Sequence, residues 1–345
     1  MSGSAVLGAL VGDRAIEALF SDEADLAAML RVESALAAAE AEAGLISADA
    51  ATRIAEACAS FSADPEKLAA GMARDGVVIP ELVRQLRAAV GNLHGPAVHW
   101  GATSQDIIDT SLVLRLKQVI AIFEERLDAL IADLSALKAR DGGRTLMAHT
   151  RMQAALPFTA ADKVASWTGP LLRHIARLAQ IKPRLLVIQL GGPVGARAEL
   201  GERAEAIAAA MAARLGLGDA PSWHTQRDAI AEFGSWLSLV SGGLGKIGQD
   251  VALLAQNEIS AVKLAGGGAS SAMAHKQNPV GAEALVALAR FNAGLLGALH
   301  TTLVHENERS GAAWTLEWMT LPRMAVTTGA GLRLAKALIA SLTFA

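Results

Sequence analysis

The stretch "GGGASSAMAHKQNP", residues 266–279, gathers three glycines, two serines, a histidine, a lysine and an asparagine between two Ala/Leu-rich segments. A serine hydroxyl titrates far above neutrality in water. It serves as an acid or base only where a cation and oriented donors stabilise the alkoxide in a closed, dry site. Ser270 and Ser271 supply hydroxyls and Lys276 the cation. Asn278 supplies an amide, and the glycine run lets the backbone open and close. A plain Gly/Ser linker has the glycines and serines alone; the added Met-x-His-Lys-x-Asn-Pro separates this segment from one. Pro279 is suited to begin the next helix, with Glu283 in its first turns.

Three further polar islands interrupt apolar sequence. "HWGATSQD" (99–106) sets short hydroxyl and amide side chains ahead of a helix, where they can cradle a carboxylate. Ser104 or Asp106 can equally be an ordinary N-cap. "GRTLMAHTRMQAALPFT" (143–159) holds His149, Thr150, Arg151 and Gln153, which are costly to bury without a polar ligand or a hydrogen-bond network. "SWHTQRD" (222–228) crowds His224, Thr225, Gln226 and Arg227 into the start of a long helix, where an anion is favoured. A solvated helix start is the plainer reading of that third island.

The elements that must position these islands read as helices. From Ile108 the apolar residues Leu112, Leu116, Val119, Phe123, Leu127, Leu130, Leu134 and Leu137 follow steps of three and four. That is one stripe of a helix about nine turns long, stopped at Gly142 and Gly143. Helices are also expected over 22–43, 47–60, 65–73, 80–90, 160–181, 197–215, 226–263, 280–306 and 319–342. Period-two β-branched runs are nearly absent, and "RLLVIQLGG" (184–192) is an isolated strand candidate, so the fold class is all-α. A composition change near 91–107 divides the chain into a small N-terminal helical domain, 1–105, and a long-helix bundle, 106–345. Alanine on every face of the long helices points to partners that are copies of the same chain.

Composition bounds the function. The 345 residues are 52% hydrophobic, enough for a large core, and 31 basic against 34 acidic residues leave a net charge of −3. That balance argues against nucleic acid as the main partner. One cysteine, Cys58, excludes an intrachain disulfide and a Cys-rich zinc site and fits a reducing cytoplasm. Cys58 lies in an Ala-rich run and reads as a small core residue. No signal peptide or charge-free run of membrane length is evident, so no membrane partner is expected. No cluster has zinc spacing and no Gly-rich phosphate loop follows a strand, so neither metal nor cofactor is expected.

The ordered set "HWGATSQD", "HTRMQ" and "SSAMAHKQNP" is similar to the three signature regions of the fumarase/aspartase superfamily. "SWHTQRDAIAEF" and "VHENERSGAAWTLEWMTLP" resemble its bacterial branch of 3-carboxy-cis,cis-muconate cycloisomerases most. The resemblance spans the whole chain. It implies an all-α fumarase/aspartase-like fold and a homotetramer whose core is a bundle of long helices. Each of its four sites would be composite, built from three chains. It implies Ser270 as the catalytic acid/base, with His149, Lys276 and Glu283 beside it. Thr103 and Ser104 match binders of a substrate carboxylate. Gln105, Thr150, Gln226, Ser271, Met273 and Asn278 complete the substrate-binding set, and Arg151, Arg227 and Arg309 are candidate clamps for an anionic substrate. Arg309 can equally pair with Glu306 or Glu308.

The expected reaction is closure of 3-carboxy-cis,cis-muconate to a carboxymuconolactone, a step of aromatic (protocatechuate-type) catabolism that needs no cofactor. A small di- or tricarboxylate is thus the expected partner. A 3-sulfo substituent is close to a carboxylate in charge and size. A lyase of the adenylosuccinate or argininosuccinate type and a catalytically silent helical scaffold are the other readings. "RDGVVIPELVRQL" lacks the additional histidine of the purine lyases, and retention of all five loop and island residues opposes silence. The pattern departs at Ala269, where a glycine is usual, and at Ala274, where a proline is usual. The resemblance also leaves the usual C-terminal helical domain without a counterpart before residue 345.

Overall fold

The computed structural model describes residues 5–266, 268–269, 272–273 and 276–345. Among them, α1 (Ala5–Val11), α2 (Arg14–Ala18), α3 (Asp22–Glu42), α4 (Ala48–Ser60), α5 (Pro65–Asp75) and α6 (Ile79–Val90) lead to the long α7 (Ser104–Asp141). They are followed by α8 (Ala160–Leu185), α9 (Ala204–Leu215), α10 (Asp228–Leu254), α11 (Val280–Thr301) and α12 (Gly311–Ser341). Short antiparallel ladders join β1 (Thr145–Thr150) to β2 (Gln153–Thr159), β3 (Val262–Leu264) to β6 (Leu342–Phe344), and β4 (Gly268–Ala269) to β5 (Gln277–Asn278). The all-α class holds, with small ladders at the joints.

Helix starts follow local chemistry. Ser21, Ser47, Asp64 and Ser310 each accept a backbone N–H of the first turn of α3, α4, α5 and α12. Gly76 and Gly216 end α5 and α9 in the left-handed conformation, a C-cap geometry that suits glycine. The expected stripe of α7 from Leu112 to Leu137 is buried throughout. It packs with α8, α10, α11 and α12 in one continuous apolar core. A second core unites α3, α4 and α6 with the first turns of α7, Ile188, Leu190, Leu200, α9 and Trp314.

Within the bundle α10 and α11 approach so closely that a Cβ on Gly245 would lie 2.5 Å from the Ala289 methyl. Glycine on one helix and alanine on the other therefore set the interhelical distance. Between them a polar knot is buried: the Asn292 amide donates to Ser241 at 2.8 Å, Thr328 at 3.0 Å and the Met324 carbonyl at 3.2 Å. By length and composition α11 could cross a membrane, yet it is packed between α10 and α12 and carries this knot.

Four expected boundaries move. The helix expected over 197–215 begins at Ala204, because the chain before it is kinked at Gly201. The helix expected over 226–263 ends at Leu254, because Val262–Leu264 pairs with Leu342–Phe344. The one expected over 280–306 ends at Thr301, and the last begins at Gly311, not 319, under the Ser310 cap. At the far end the terminal strand is fastened from several sides. Phe344 donates its N–H to Asp141 at 3.0 Å, Arg140 donates to the Leu342 carbonyl at 2.6 Å, and the Phe344 ring stacks on Trp167.

Candidate active site

At one end of the bundle the first and third islands are tied together by a buried carboxylate. Thr103, not Ser104 or Asp106, is the N-cap of α7, and its N–H donates to Asp106 at 2.9 Å. Asp106, fully buried, also accepts the N–H groups of Gly191 and Gly192, both at 2.8 Å, and the side chain of Gln189 at 3.2 Å. Its Oδ1 lies 2.9 Å from His224 Nε2. One side chain thus fixes the loop before α7, the Gly191–Gly192 turn and the approach to α10. Thr103 and Ser104 remain half-buried at the surface of this assembly.

Gln105 departs from the expected role. It is fully buried, donates to Asp109 at 3.1 Å and to the His224 carbonyl at 2.9 Å, and accepts from Arg309 Nε at 2.9 Å. Its hydrogen bonds are spent inside the protein, one of them on Arg309. Arg309 itself is exposed and also donates to the Pro193 carbonyl at 3.2 Å. It forms no ion pair with Glu306 or Glu308. The Ser310 hydroxyl, together with its own backbone, instead holds Glu306 below the usual carboxylate range.

Arg227 is a second correction. It is not an open clamp: its guanidinium is buried between Asp109, at 2.6 and 3.1 Å, and Glu317, at 3.0 and 2.5 Å. The Trp223 ring covers one face with its centroid 4.7 Å away, and Trp314 Nε1 donates to Asp109 at 3.1 Å. Burial opposes the charge, but the two carboxylates outweigh it and raise the Arg227 pKa. Burial in turn raises Glu317 against the pull of Arg227. Nearby, both ring nitrogens of His305 are buried without a partner among the described residues, and burial, aided by Arg227, lowers its pKa. Asp106, Asp109, Glu317 and His305 were all missed as site-building residues. For the first two the available signal was a pair of acids three apart on one face of a helix start.

The second and fourth islands lie at the opposite end. Residues 145–159 form an exposed hairpin in place of an irregular island, with one extra residue on β2 before Pro157. Arg151 and Met152 turn the hairpin with φ of 49° and 66°. This is the left-handed pair that two-residue turns require, usually met with Asn and Gly. His149, Thr150 and Arg151 are exposed, and His149 Nδ1 donates to the Met147 carbonyl at 3.0 Å. That bond leaves Nε2 open.

The loop that opened the sequence argument is closed at its base, where Gly268 pairs with Asn278 and Ala269 with Gln277. Ser270 and Ser271 lie outside the described residues. Met273, Lys276, Asn278 and Glu283 line a cavity of about 900 Å³ between α10 and α11, together with Gln256 and Arg290. The fourth island thus assembles its own cation, amide and carboxylate. His149 and Glu283, expected as partners, are not paired with each other among the described residues.

The two groups are separated by the bundle itself. Arg227 immediately precedes α10 and the Lys276 loop follows it; a helix of 27 residues spans about 40 Å. Gln226, exposed and donating to the Ser222 carbonyl at 3.3 Å, lies with the first group.

A family model described as Lyase matches residues 12–291. A 3-carboxy-cis,cis-muconate cycloisomerase of Pseudomonas aeruginosa is 42% identical over 334 residues, 95% of this chain and 73% of that protein. One from Acinetobacter baylyi is 36% identical over 95% of this chain and 75% of its own. The crystal structure of 3-carboxy-cis,cis-muconate lactonizing enzyme from Pseudomonas putida superposes with a TM-score of 0.93 at 38% identity, covering 99% of this chain and 78% of that one. The chain belongs to the lyase family, within the fumarase/aspartase superfamily.

Proposed function

We propose that the protein is a cycloisomerase that closes 3-carboxy-cis,cis-muconate to a carboxymuconolactone. The observation that carries this reading is the 42% identity over 95% of the chain to a relative of that name. The cavity bearing Lys276, Asn278 and Glu283 suits the chemistry. One substrate carboxylate oxygen bonds to a carbon of the conjugated diene, and the displaced electron pair builds negative charge on a remote carboxylate. Lys276 and Asn278 stabilise that enolate-like charge while Ser270, as general acid, protonates the adjacent carbon. Thr103, Ser104, Arg151 and Arg309 hold the remaining carboxylates, with Thr150, Gln226, Ser271 and Met273 around them. Solvent returns to Ser270 the proton that the substrate's carboxylic acid gave up on ionising, so the substrate acid and the product have the same atoms and the reaction is an isomerisation.

The reading includes a homotetramer with composite sites in the cytoplasm. Two observations support shared sites: about 40 Å of helix separates the two groups of polar residues, and the apolar window of α11 is only 33% buried in the single chain. Copies packed antiparallel bring the Lys276 end of one chain to the Thr103 end of another. The test is turnover of 3-carboxy- and 3-sulfo-cis,cis-muconate, followed by loss of diene absorbance. The carboxy compound should be consumed with the higher kcat/KM; preference for the sulfo compound, or consumption of neither, would overturn the reading.

A further inference from the structure

α3 buries two carboxylates in the apolar core that it shares with α4 and α6. Glu33 is 1% exposed and Glu40 is fully buried. Glu40 has no partner on either oxygen among the described residues, and burial, aided by Glu33, raises it to about 9, so it is neutral near pH 7. Glu33 is different. Its Oε1 lies 2.6 Å from His99 Nδ1, while its Oε2 is buried without a partner. Outside the core, a single hydrogen-bonded ring therefore answers this buried acid.

His99 opens the first polar island and holds a left-handed backbone, φ 63°. A non-glycine residue keeps that conformation only where its surroundings fix it. The loop that carries it is tightly seated, since a Cβ on the nearby Gly101 would lie 2.5 Å from a Leu200 methyl. His99 Nε2 has no partner among the described residues, and the side chain is 14% exposed. The ring is gripped on its inner nitrogen and open on its outer one.

We propose that Glu33 is a positioning residue for the substrate-binding loop before α7, gripping His99 so that its outer nitrogen donates to a carboxylate of the substrate. The inference rests on the tricarboxylate reading above. The groups facing His99 are Glu33 from α3, Asp106 from α7 and Arg87 from α6. Burial lowers the imidazole pKa and Arg87 adds to that, but Glu33, helped by Asp106, outweighs both and raises it. Cys58, on α4, also senses Glu33, but its thiol is pushed up to about 12, first by burial, and carries no charge near neutrality. His99 thus places a ring donor, its charged form favoured by Glu33, four residues before Thr103 in a loop otherwise limited to neutral donors.

The test is Glu33→Gln, which keeps the size and an acceptor for Nδ1–H but removes the charge. With imidazoles labelled in the intact protein, the His99 midpoint should fall by about one pH unit or more, the usual scale for loss of an opposite charge in contact. KM for 3-carboxymuconate at pH 8 should rise about tenfold with kcat changed less than twofold. The alkaline limb of kcat/KM should move to lower pH. His99→Gln should raise KM alike, and adding Glu33→Gln to it should do nothing more. If wild type turns over no muconate, the functional reading falls, while the imidazole titration still decides this one. An unmoved His99 midpoint, or an unchanged KM and pH profile with only a lower melting temperature, reduces the pair to a structural staple and overturns the proposal.

Discussion

Replacing Arg227 by Met tests the idea that the start of α10 is held by a buried charge hub and not by a substrate contact. Met fills much of the volume of the arginine stem but leaves Asp109 and Glu317 facing each other without a cation, both within 1% of full burial. Breaking a buried ion pair by removing one partner costs about 3–5 kcal/mol. At about 2.1 cal/mol/K per residue, unfolding a chain of 345 residues carries about 0.7 kcal/mol/K, so the melting midpoint should fall by about 4–7 °C. The pH dependence gives the sharper readout. Burial already raises the folded-state pKa of Glu317, and removing Arg227 takes away the pull that opposes it. The folded variant therefore binds more protons than the unfolded chain, and its stability falls as pH rises through that interval. The deficit against wild type should be small near pH 5 and full near pH 8. Differential scanning calorimetry at the two pH values measures it. A loss under 1 °C at pH 8, or the same loss at both, would refute the argument.

Ser270→Ala should lower turnover at saturating substrate by at least as much as Lys276→Met, for which loss of one charge stabiliser predicts about 10²–10³. Ser271→Ala should hurt less, and the reverse order of the two serines would move the assignment by one residue. Mixing Ser270→Ala chains with His149→Ala chains should restore activity that neither has alone. Verified mixed assemblies with no rescue would argue against sites shared between chains. Glu40→Gln should flatten the dependence of stability on pH. Glu40 titrates at about 9 when folded against 4.5 in water, so wild type loses stability from about pH 5 to about pH 9. The variant should match wild type near pH 5 and melt higher near pH 8.5; parallel pH profiles would exclude a buried neutral Glu40.

Periodicity was the most legible signal. The stripe from Leu112 to Leu137 could be read because a helix buries the same face turn after turn, and a one-dimensional pattern suffices to show it. What depended on distant partners could not be read. Nothing between Ala255 and Ala261 marks the end of α10; it ends where Val262–Leu264 finds Leu342–Phe344, nearly eighty residues on. The hairpin at 145–159 was hidden because, apart from Leu146 and its neighbour Ala148, β1 is exposed, and β2 is exposed from Gln153 to Pro157, so little alternation shows. Its turn also uses Arg151-Met152 where a glycine would have announced it. Arg227 looked like an open clamp because its carboxylates lie 118 residues before and 90 residues after it. Of the site, the residue types in the fourth island were legible, and Lys276, Asn278 and Glu283 do share a cavity. The supports behind the first island, Asp106 toward Gly191 and Glu33 toward His99, are long-range pairings with no local spacing to betray them.

The fastening of β6 couples elements that are far apart in sequence. β6 pairs with β3, which leads within a few residues to the ladder at the base of the Ser270 loop. Because Asp141, Arg140 and Trp167 hold β6 on its other sides, β3 is anchored through it to α7 and α8. A substitution on either helix that loosens β6 therefore reaches the base of the loop without touching it.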